Sequence, residues 1–333
     1  MPESKTLVLG SNSFTGSHFV DHCLSLGHSV IGISRSDEYP DVMLAYKNNK
    51  SYEERFHFFR LDIRKDLDAI LRIVDKEKPN YVANFAAQGE VRNSWKYPAH
   101  WYETNTIANA LLADSLISKE FIEKYYLCST PEVYGSTGSL ITENHTYQPS
   151  TPYAISKLSG DLHALATWKR HGLPVVITRA ANVYGERQQL YRIIPRTVIY
   201  LKLGRKIQLH GGGLSTRSFI YIADMCSAIM KSIENGKNGE IYHISTVGEE
   251  LSIARLVQLV CLKLNKNFLD ATESVNENYG QDENFSLNVD KAKAELKWSP
   301  SVTLEQGIDK VIRWIEDHWA VIKELPREYV HKR

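Results

Sequence analysis

The sequence Thr6-Leu7-Val8-Leu9-Gly10-Ser11-Asn12-Ser13-Phe14-Thr15-Gly16 decides the fold of this chain. A short apolar run leads directly into a glycine turn, and a helical pattern follows. Strand, glycine turn and helix in this order begin a βαβ unit, where such a turn is suited to bind a dinucleotide. Gly10 permits the tight turn, Gly16 permits close packing of helix on strand, and Ser13 replaces the middle glycine. The alternative is a purely structural turn. The residues predicted to bind the pyrophosphate at the helix amino terminus are Gly10, Ser13, Phe14, Thr15 and Gly16.

The length and composition are those of a globular protein with more than one lobe. The 333 residues are 43% hydrophobic and 24% charged, which is ordinary for a soluble protein. A chain of this length has room for one large domain and a second lobe. We predict a doubly wound α/β fold, with a mostly parallel Rossmann sheet in residues 1–180 and a smaller α+β substrate lobe in residues 181–333. Some strands and helices of the second part are expected to return to the first.

Net charge, cysteine spacing and apolar runs limit which ligands and locations we predict. The net charge of +1 gives no indication of a nucleic acid or an anionic membrane as partner. The four cysteines lack metal-ligand spacing, so we predict no metal site and reduced thiols in the cytoplasm. No signal peptide is recognisable, and no apolar run is long enough to span a membrane.

The end of the second strand bears on the choice of cofactor. This strand is predicted over residues 29–33 and is followed by Ser34-Arg35-Ser36. An NAD site usually has a carboxylate here, which accepts hydrogen bonds from the adenosine ribose. A guanidinium is suited instead to pair with a 2′-phosphate, so NADP is favoured and NAD is the alternative. Arg35 could also be an exposed loop residue. After the third strand, Asp62 and Ile63 are predicted to lie at the adenine, whose amino group Asp62 could bind.

The fourth strand leads into a loop that would overhang the crevice. It is predicted over residues 81–85 and ends in small residues that leave room for a cofactor. A polar loop follows, and the next helix is predicted over residues 99–116. The candidates in this region are Ala86, Ala87, Gln88 and Asn105 for the cofactor and Gln88, Arg92 and Ser94 for a substrate.

The candidate catalytic groups lie in two neighbouring segments. Ser129-Thr130-Pro131-Glu132-Val133-Tyr134-Gly135 follows an apolar run, at a strand end where open α/β sheets form ligand crevices. Further on, Tyr153 and Lys157 are four residues apart and share one face of a helix. The ammonium of Lys157 would favour the phenolate of Tyr153 and let it take a proton near neutral pH. The alternative is a surface tyrosine on an amphipathic helix.

Cationic and amide side chains recur in the carboxyl-terminal half. Several arginines near a cofactor crevice indicate a polyanionic substrate such as a diphosphate, although solvated surface charges are the alternative. The candidates for substrate binding here are Asn182, Arg192, His210 and Arg217.

Five motifs together resemble the extended short-chain dehydrogenase/reductase family, in its NAD-dependent epimerase/dehydratase branch acting on nucleotide sugars. They are the glycine turn, Thr-x-Glu-x-Tyr-Gly from Thr130, Tyr-x-x-x-Lys from Tyr153, Arg-x-x-Asn-x-Tyr-Gly from Arg179, and Arg-Ser-Phe-Ile-Tyr-Ile-x-Asp from Arg217. The resemblance covers residues 10–300. Within the branch, residues 129–135 are most similar to sugar 4,6-dehydratases, and Gly32-Ile33-Ser34-Arg35 resembles the NADP-using GDP-mannose enzymes.

The resemblance implies a lyase that converts a nucleoside-diphosphate hexose into a 4-keto-6-deoxy product, with hydride passing to and from NAD(P). Tyr153 would deprotonate the hydroxyl on carbon 4, Thr130 would hold that hydroxyl, and Lys157 would bind the nicotinamide ribose. Glu132 would abstract the hydrogen on carbon 5. The alternatives are a nucleotide-sugar 4-epimerase, a UDP-glucuronate decarboxylase or a non-catalytic dinucleotide sensor. Such proteins commonly pair through two helices, here residues 99–116 and 156–169, so a homodimer or a dimer of dimers is implied.

Two positions depart from the pattern of the family. Pro131 stands where the dTDP-glucose enzymes have an Asp that protonates the leaving hydroxyl, an Asp that GDP-mannose enzymes also lack. Around Asp282 the chain has Glu283 and Asn284, where relatives often have a phosphate-binding arginine. The resemblance therefore assigns neither the proton donor nor the group that recognises the nucleotide.

Overall fold

The computed structural model describes residues 4–137, 139–246, 248, 250–276 and 286–331. The strands are β1 (Lys5–Leu9), β2 (Ser29–Ser34), β3 (Phe56–Arg60), β4 (Tyr81–Asn84), β5 (Lys124–Ser129), β6 (Leu140–Ile141), β7 (Val175–Ala180), β8 (Asn182–Tyr184), β9 (Ile207–His210), β10 (Thr216–Arg217), β11 (Phe219–Tyr221), β12 (Glu240–Ile244), β13 (Leu251–Ser252), β14 (Thr272–Val275) and β15 (Ser286–Leu287).

The α-helices are α1 (Phe14–Ser25), α2 (Tyr52–Arg55), α3 (Leu67–Glu77), α4 (Val91–Lys96), α5 (Pro98–Trp101), α6 (Asn109–Leu116), α7 (Pro152–His171), α8 (Ile193–Lys202), α9 (Ile222–Asn235), α10 (Ile253–Lys263), α11 (Phe268–Ala271), α12 (Asp290–Leu296), α13 (Leu304–Asp317) and α14 (Trp319–Ile322). Short 3₁₀ turns lie at Asp41–Met43, Ala45–Asn48, Pro131–Tyr134 and Gly211–Gly213, and a π-helical segment, Tyr102–Ala108, joins α5 to α6.

The main sheet has seven strands in the order β12-β7-β5-β4-β1-β2-β3, and every neighbouring pair is parallel. From β1 the chain builds outward through β2 and β3, and then continues from the other side of β1 with β4. The direction of building therefore reverses between β1 and β4, the switch point where open α/β sheets form a ligand crevice. The predicted doubly wound fold is confirmed.

Helices cover both faces of this sheet, as a parallel sheet requires. Successive side chains of a strand point to opposite faces. Leu7 and Leu9 accordingly belong to the core that contains Leu112 of α6. Val8 belongs to the core that contains Phe19 of α1. The sheet is thus buried on both sides, and only its strand ends are open to a ligand.

Two elements from the second half of the chain return to the main sheet. Glu240–Ile244 forms its edge strand β12, with Ile241 opposite Ile177. Helix α12 packs against α9 and β12. The paired strands β9 with β14 and β10 with β13 form small separate sheets, as expected for a second lobe. The division at residue 180 stays a prediction.

Candidate functional site

The glycine turn after β1 forms a cradle that side chains would fill. Gly10 has a φ of 82°, and a Cβ there would lie 2.8 Å from the backbone nitrogen of Ala86. A Cβ on Gly16 would collide with the carbonyl oxygen of Gly10. Ser13 caps helix α1, with its hydroxyl accepting a hydrogen bond from the Gly16 N–H at 3.0 Å. The serine that replaces the middle glycine thus shapes the start of the helix.

A cleft of about 1410 Å³ runs along the carboxyl ends of the strands. It is lined by most of the residues that the sequence assigns to a site. These are Gly10, Ser13, Phe14, Thr15, Ser34, Arg35, Ser36, Asp62, Ile63, Ala86, Ala87, Gln88, Arg92, Thr130, Glu132, Tyr153, Asn182, Arg192, His210 and Arg217. The predicted candidates that do not line it are Gly16, Ser94, Asn105 and Lys157.

Asn105 and Ser94 lie behind the wall of the cleft. Asn105 is 1% exposed and lies on the π-helical segment, a local geometry frequent at functional sites. Its amide accepts from the Gln88 N–H at 2.8 Å and donates to the Gln88 carbonyl and the Ser156 hydroxyl, both at 3.0 Å. Asn105 thus holds the Gln88 loop against α7. The Ser94 hydroxyl donates to the Val91 carbonyl within its own helix at 2.6 Å.

Helix α7 brings Tyr153 to the cleft and keeps Lys157 beneath it. Thr151 caps the helix, because its hydroxyl accepts from the Ala154 N–H at 3.1 Å. Lys157 is 7% exposed, and its ammonium donates to the Cys128 carbonyl at 2.7 Å. This bond ties the helix to the end of β5. The Lys157 ammonium is therefore bound to the backbone of β5.

Burial raises the pKa of the Tyr153 phenol above its usual value. The negative charge of Glu132 acts in the same direction, whereas a hydrogen bond with Thr130 and the charge of Arg192 oppose it. The expected lowering by Lys157 is therefore not found in the chain alone. The physical reason is that a phenolate loses its hydration in the buried site.

Thr130 and Glu132 are placed by the turn that follows β5. Thr130 is the cap of the 3₁₀ turn Pro131–Tyr134, and its hydroxyl accepts from the Glu132 N–H at 3.3 Å. Pro131 occupies the first position of this turn, where its missing N–H costs nothing. Because Thr130 bonds to Tyr153 and the charge of Glu132 acts on it, the three side chains meet at one end of the cleft.

A buried polar network begins at Ser129, the residue before Thr130. Asp161 accepts hydrogen bonds from the Ser129 hydroxyl at 2.6 Å and from Arg179 at 3.0 Å. Arg179 also donates to the Tyr134 hydroxyl at 2.7 Å, which lies 2.8 Å from Nε2 of His243. Five elements are thereby fixed to one another: α7, β5, β7, β12 and the turn that carries Glu132.

Asn12 and Arg64 line the cleft near the end of β2 and were missed by the sequence analysis. Asn12 binds the Ser34 hydroxyl through its N–H and the Ser36 carbonyl through its side chain, both at 3.0 Å. Burial lowers the pKa of Arg35, and the nearby charge of Arg64 lowers it further. Both arginines line the cleft, and because Arg64 is paired with Asp62, Arg35 is the cation offered to an anion there. Asn12 could have been found from its place in the glycine turn.

The acidic residue nearest these arginines is Asp62. Its carboxylate accepts from the Arg64 guanidinium at 2.7 Å. Burial alone would raise the pKa of Asp62, but the hydrogen bonds from Arg64 outweigh it and the pKa is lowered. Asp62 is therefore ionised at neutral pH and remains able to accept hydrogen bonds.

The largest omission of the sequence analysis is the carboxyl-terminal tail. Residues of this tail line the cleft although they belong to no motif. They are Leu325, Pro326, Glu328, Tyr329 and Val330. Tyr39 and Tyr191 line the same part of the cleft. A polar segment without periodicity gives no indication of where it packs, so only the structure could place it.

Three further predictions concern residues 282–284, metal sites and membrane-spanning helices. Asp282, Glu283 and Asn284 lie outside the described residues. Within the described part of the chain, no group of three or more His, Cys, Asp and Glu side chains is arranged to hold a metal ion. No helix of that part is long and apolar enough to cross a membrane.

Comparisons with known proteins agree with the motifs. A family model described as GDP-mannose 4,6 dehydratase matches residues 7–311. The dTDP-D-glucose 4,6-dehydratase of Mus musculus is 31% identical over 330 residues, covering 93% of this chain and 88% of the mouse protein.

Solved structures give the same result for the fold. The dTDP-glucose 4,6-dehydratase of Bacillus anthracis, in complex with NAD, matches with a TM-score of 0.85 and 29% identity, over 96% of this chain and 98% of that one. The UDP-glucose 4-epimerase of Thermotoga maritima, with UDP-glucose, has a TM-score of 0.85 and 26% identity, over 95% and 99%. The predicted resemblance is confirmed, and the chain belongs to the GDP-mannose 4,6 dehydratase family of the NAD-dependent epimerases/dehydratases.

Proposed function

We propose that this chain is a nucleotide-sugar 4,6-dehydratase, which converts a nucleoside-diphosphate hexose into its 4-keto-6-deoxy product by eliminating water. The observation that carries the proposal is that Glu132 faces Tyr153 at one end of the cleft. Epimerisation at carbon 4 needs only the tyrosine, whereas elimination also needs a base at carbon 5. The dehydratases among the relatives support the same choice.

The cleft has the features that a dinucleotide requires. The cradle at Gly10 would be filled by a Cβ, the amino terminus of α1 borders the cleft, and Arg35 offers a cation there. These groups suit a pyrophosphate and a ribose phosphate. A dinucleotide held by these groups would supply the acceptor for the hydride of carbon 4 and its donor to carbon 6.

The first step requires a base at the hydroxyl on carbon 4. Tyr153 takes this proton, and Thr130 holds the hydroxyl in line because both side chains line the same end of the cleft. The pKa of Tyr153 is raised by burial, and the charge of Arg192 acts against this shift. Arg192 thus lies where a cation helps the phenol to ionise. Lys157 keeps the helix of Tyr153 in register with β5 through the Cys128 carbonyl.

The second step uses the acidity of carbon 5. A ketone at carbon 4 makes the neighbouring hydrogen acidic, because the resulting carbanion delocalises as an enolate. Glu132 removes this hydrogen as a proton, and the hydroxyl on carbon 6 leaves as water. When hydride reaches carbon 6, carbon 5 takes a proton again, which Glu132 can return. Pro131 has no proton to give, so the donor to this hydroxyl must be another group at the same end of the cleft.

A panel of nucleoside-diphosphate hexoses, analysed by mass spectrometry, tests the proposal. A product lighter by one water supports the dehydratase. A product of unchanged mass with inverted carbon 4 would support the epimerase, and loss of carbon dioxide from a uronic acid would support the decarboxylase. Substrate that returns unaltered across the panel, although the protein binds a dinucleotide, would leave a non-catalytic sensor.

We further propose that the dinucleotide is NADP. Support comes from Arg35, which lines the cleft, and from the absence of a cleft-lining carboxylate among residues 34–36. The Bacillus anthracis relative was solved with NAD, so the two proteins would differ at this point. Dinucleotide released from the purified protein by denaturation should carry a 2′-phosphate. Release of NAD alone would refute the preference.

We also propose a homodimer formed by the helices that contain residues 99–116 and 156–169. Four apolar side chains in and around these helices are 42–53% exposed: Ile107, Leu111, Ile155 and Leu162. Pairing two such faces would bury them, in an interface of two-fold symmetry. Sedimentation at micromolar concentration should give a dimer that Leu111→Lys dissociates. Leu269→Lys is the control, because Leu269 is 78% exposed and lies on α11. A monomeric parent would refute the proposal.

A further inference from the structure

The carboxyl-terminal tail, defined here as residues 325–331, runs across the outside of the cleft. Leu325 packs against the main hydrophobic core after helix α14. From there the tail continues along the cleft and contributes Tyr329 and Val330 to its lining. The tail can form a stable wall of the cleft only if residues at its far end are also fixed by contacts.

The far end is held by His331 on the side of helix α5. Its ring stacks on Tyr97 with a centroid distance of 5.0 Å and an interplanar angle of 4°. It also stacks on Trp101 at 5.3 Å, and its Nε2 lies 2.9 Å from Nδ1 of His100. Three rings and one hydrogen bond thus anchor a single residue.

Between the two anchors, Tyr329 reaches the opposite side of the cleft. Its ring packs edge-on against Tyr191 at 5.6 Å, and its hydroxyl lies 3.3 Å from Nδ1 of His331. Tyr191 directly precedes Arg192, and both line the cleft. The tail therefore bridges the Rossmann sheet side and the loop before α8.

Two arginines near Tyr329 indicate where it lies along the cleft. The charges of both Arg35 and Arg192 act on its phenol. Arg35 follows β2, whose end marks the adenosine ribose in doubly wound folds. Tyr329 accordingly lies between the ribose part of the cleft and its substrate end.

We propose that the tail is part of the dinucleotide site: Tyr329 contacts the bound dinucleotide beside its adenosine ribose, and the His331 stack holds the tail closed over it. The inference rests on the proposed dinucleotide site. A cofactor that is reduced and reoxidised within one turnover must stay bound between the two hydride transfers. An outer wall anchored at both ends supplies that retention, since release requires the anchor at His331 to open.

The rate of dinucleotide release tests this role without measuring turnover. Full-length parent, Tyr329→Ala and His331→Ala are loaded with reduced dinucleotide. Its fluorescence is then followed after addition of excess oxidised dinucleotide. Loss of the stacked rings should accelerate release about tenfold in His331→Ala, with a similar effect in Tyr329→Ala. His171→Ala is the matched control, because His171 is exposed at the end of α7.

The outcomes separate the tail from the site itself. Release from both variants at the rate of the parent would overturn the role of the tail and leave the dinucleotide site intact. Faster binding with unchanged or slower release would also overturn it, because the tail would then be an obstruction. A parent that binds no dinucleotide would overturn both proposals.

Hydrogen exchange in the unmodified protein provides a second measurement if a variant fails to fold. Pro326 has no backbone N–H, so exchange is measured at the amides of residues 327–331. Their exchange should slow when dinucleotide is added, because the ligand stabilises the closed tail. Unchanged exchange at saturating dinucleotide would overturn the inference.

Discussion

Replacing Asp161 by Asn tests the buried network that begins at Ser129. The side chains of Arg179 and Asp161 are 0% and 3% exposed, with 3.0 Å between Nη2 and Oδ2. Arg179 forms a salt bridge with no other carboxylate among the described residues. Removing one charge of a buried pair costs about 3–5 kcal/mol, because the remaining charge is left without compensation. The amide of Asn retains one acceptor, so we expect a loss of about 3 kcal/mol in the free energy of unfolding and a thermal midpoint about 4 °C lower.

The matched control is Asp309→Asn. The Lys263–Asp309 pair is shorter, at 2.7 Å, but its side chains are 19% and 51% exposed. Exposed pairs contribute only about 0–1 kcal/mol, since water solvates both partners when they separate. Urea unfolding of the parent and both variants compares the two losses in the free energy of unfolding. Equal losses in the two variants, or a loss below 1 kcal/mol in Asp161→Asn, would refute the argument from burial.

Three further outcomes follow from the site and its surroundings. Glu132→Gln should slow elimination by about 10²–10⁴-fold while oxidation at carbon 4 continues. Reduced nicotinamide should then accumulate, as measured by its absorbance, whereas Tyr153→Phe should leave the nicotinamide oxidised. Turnover of the Gln variant at the parent rate would make Glu132 a positioning residue. Arg35→Asp should reverse the cofactor preference in binding titrations, and an unchanged ratio of NADP to NAD affinity would argue against a 2′-phosphate site. Burial lowers the pKa of His243 to about 3, so below about pH 6.5 the unfolded chain takes up a proton that the folded chain does not. The free energy of unfolding should therefore fall by about 1.4 kcal/mol per pH unit between pH 6 and 4 from this group, and urea unfolding of His243→Gln should lack this part of the slope.

The parts of the site that depend on strand ends were predictable from the sequence. Parallel strands end at one edge of a sheet, so the residues after β1, β2 and β5 had to meet there. This is why Gly10, Arg35 and Thr130 line one cleft.

The remaining features depend on packing that no local pattern encodes. In the chain alone, burial and the charge of Glu132 raise the pKa of Tyr153, whereas its spacing to Lys157 predicts a lowered pKa. Asn105 carries an amide suited to a cofactor, but the structure uses it to hold the Gln88 loop. The tail is placed by the stack of His331 on Tyr97, a contact between residues far apart in the sequence.

The path of the hydride distinguishes a 4,6-dehydratase from a 4-epimerase. A nucleoside-diphosphate hexose that carries deuterium at carbon 4 is incubated with the protein, and the product is analysed by mass spectrometry and NMR. We predict a product lighter by one water, with the deuterium on carbon 6. Deuterium returned to carbon 4 of a product that has lost no water would show an epimerase and would contradict the proposed function.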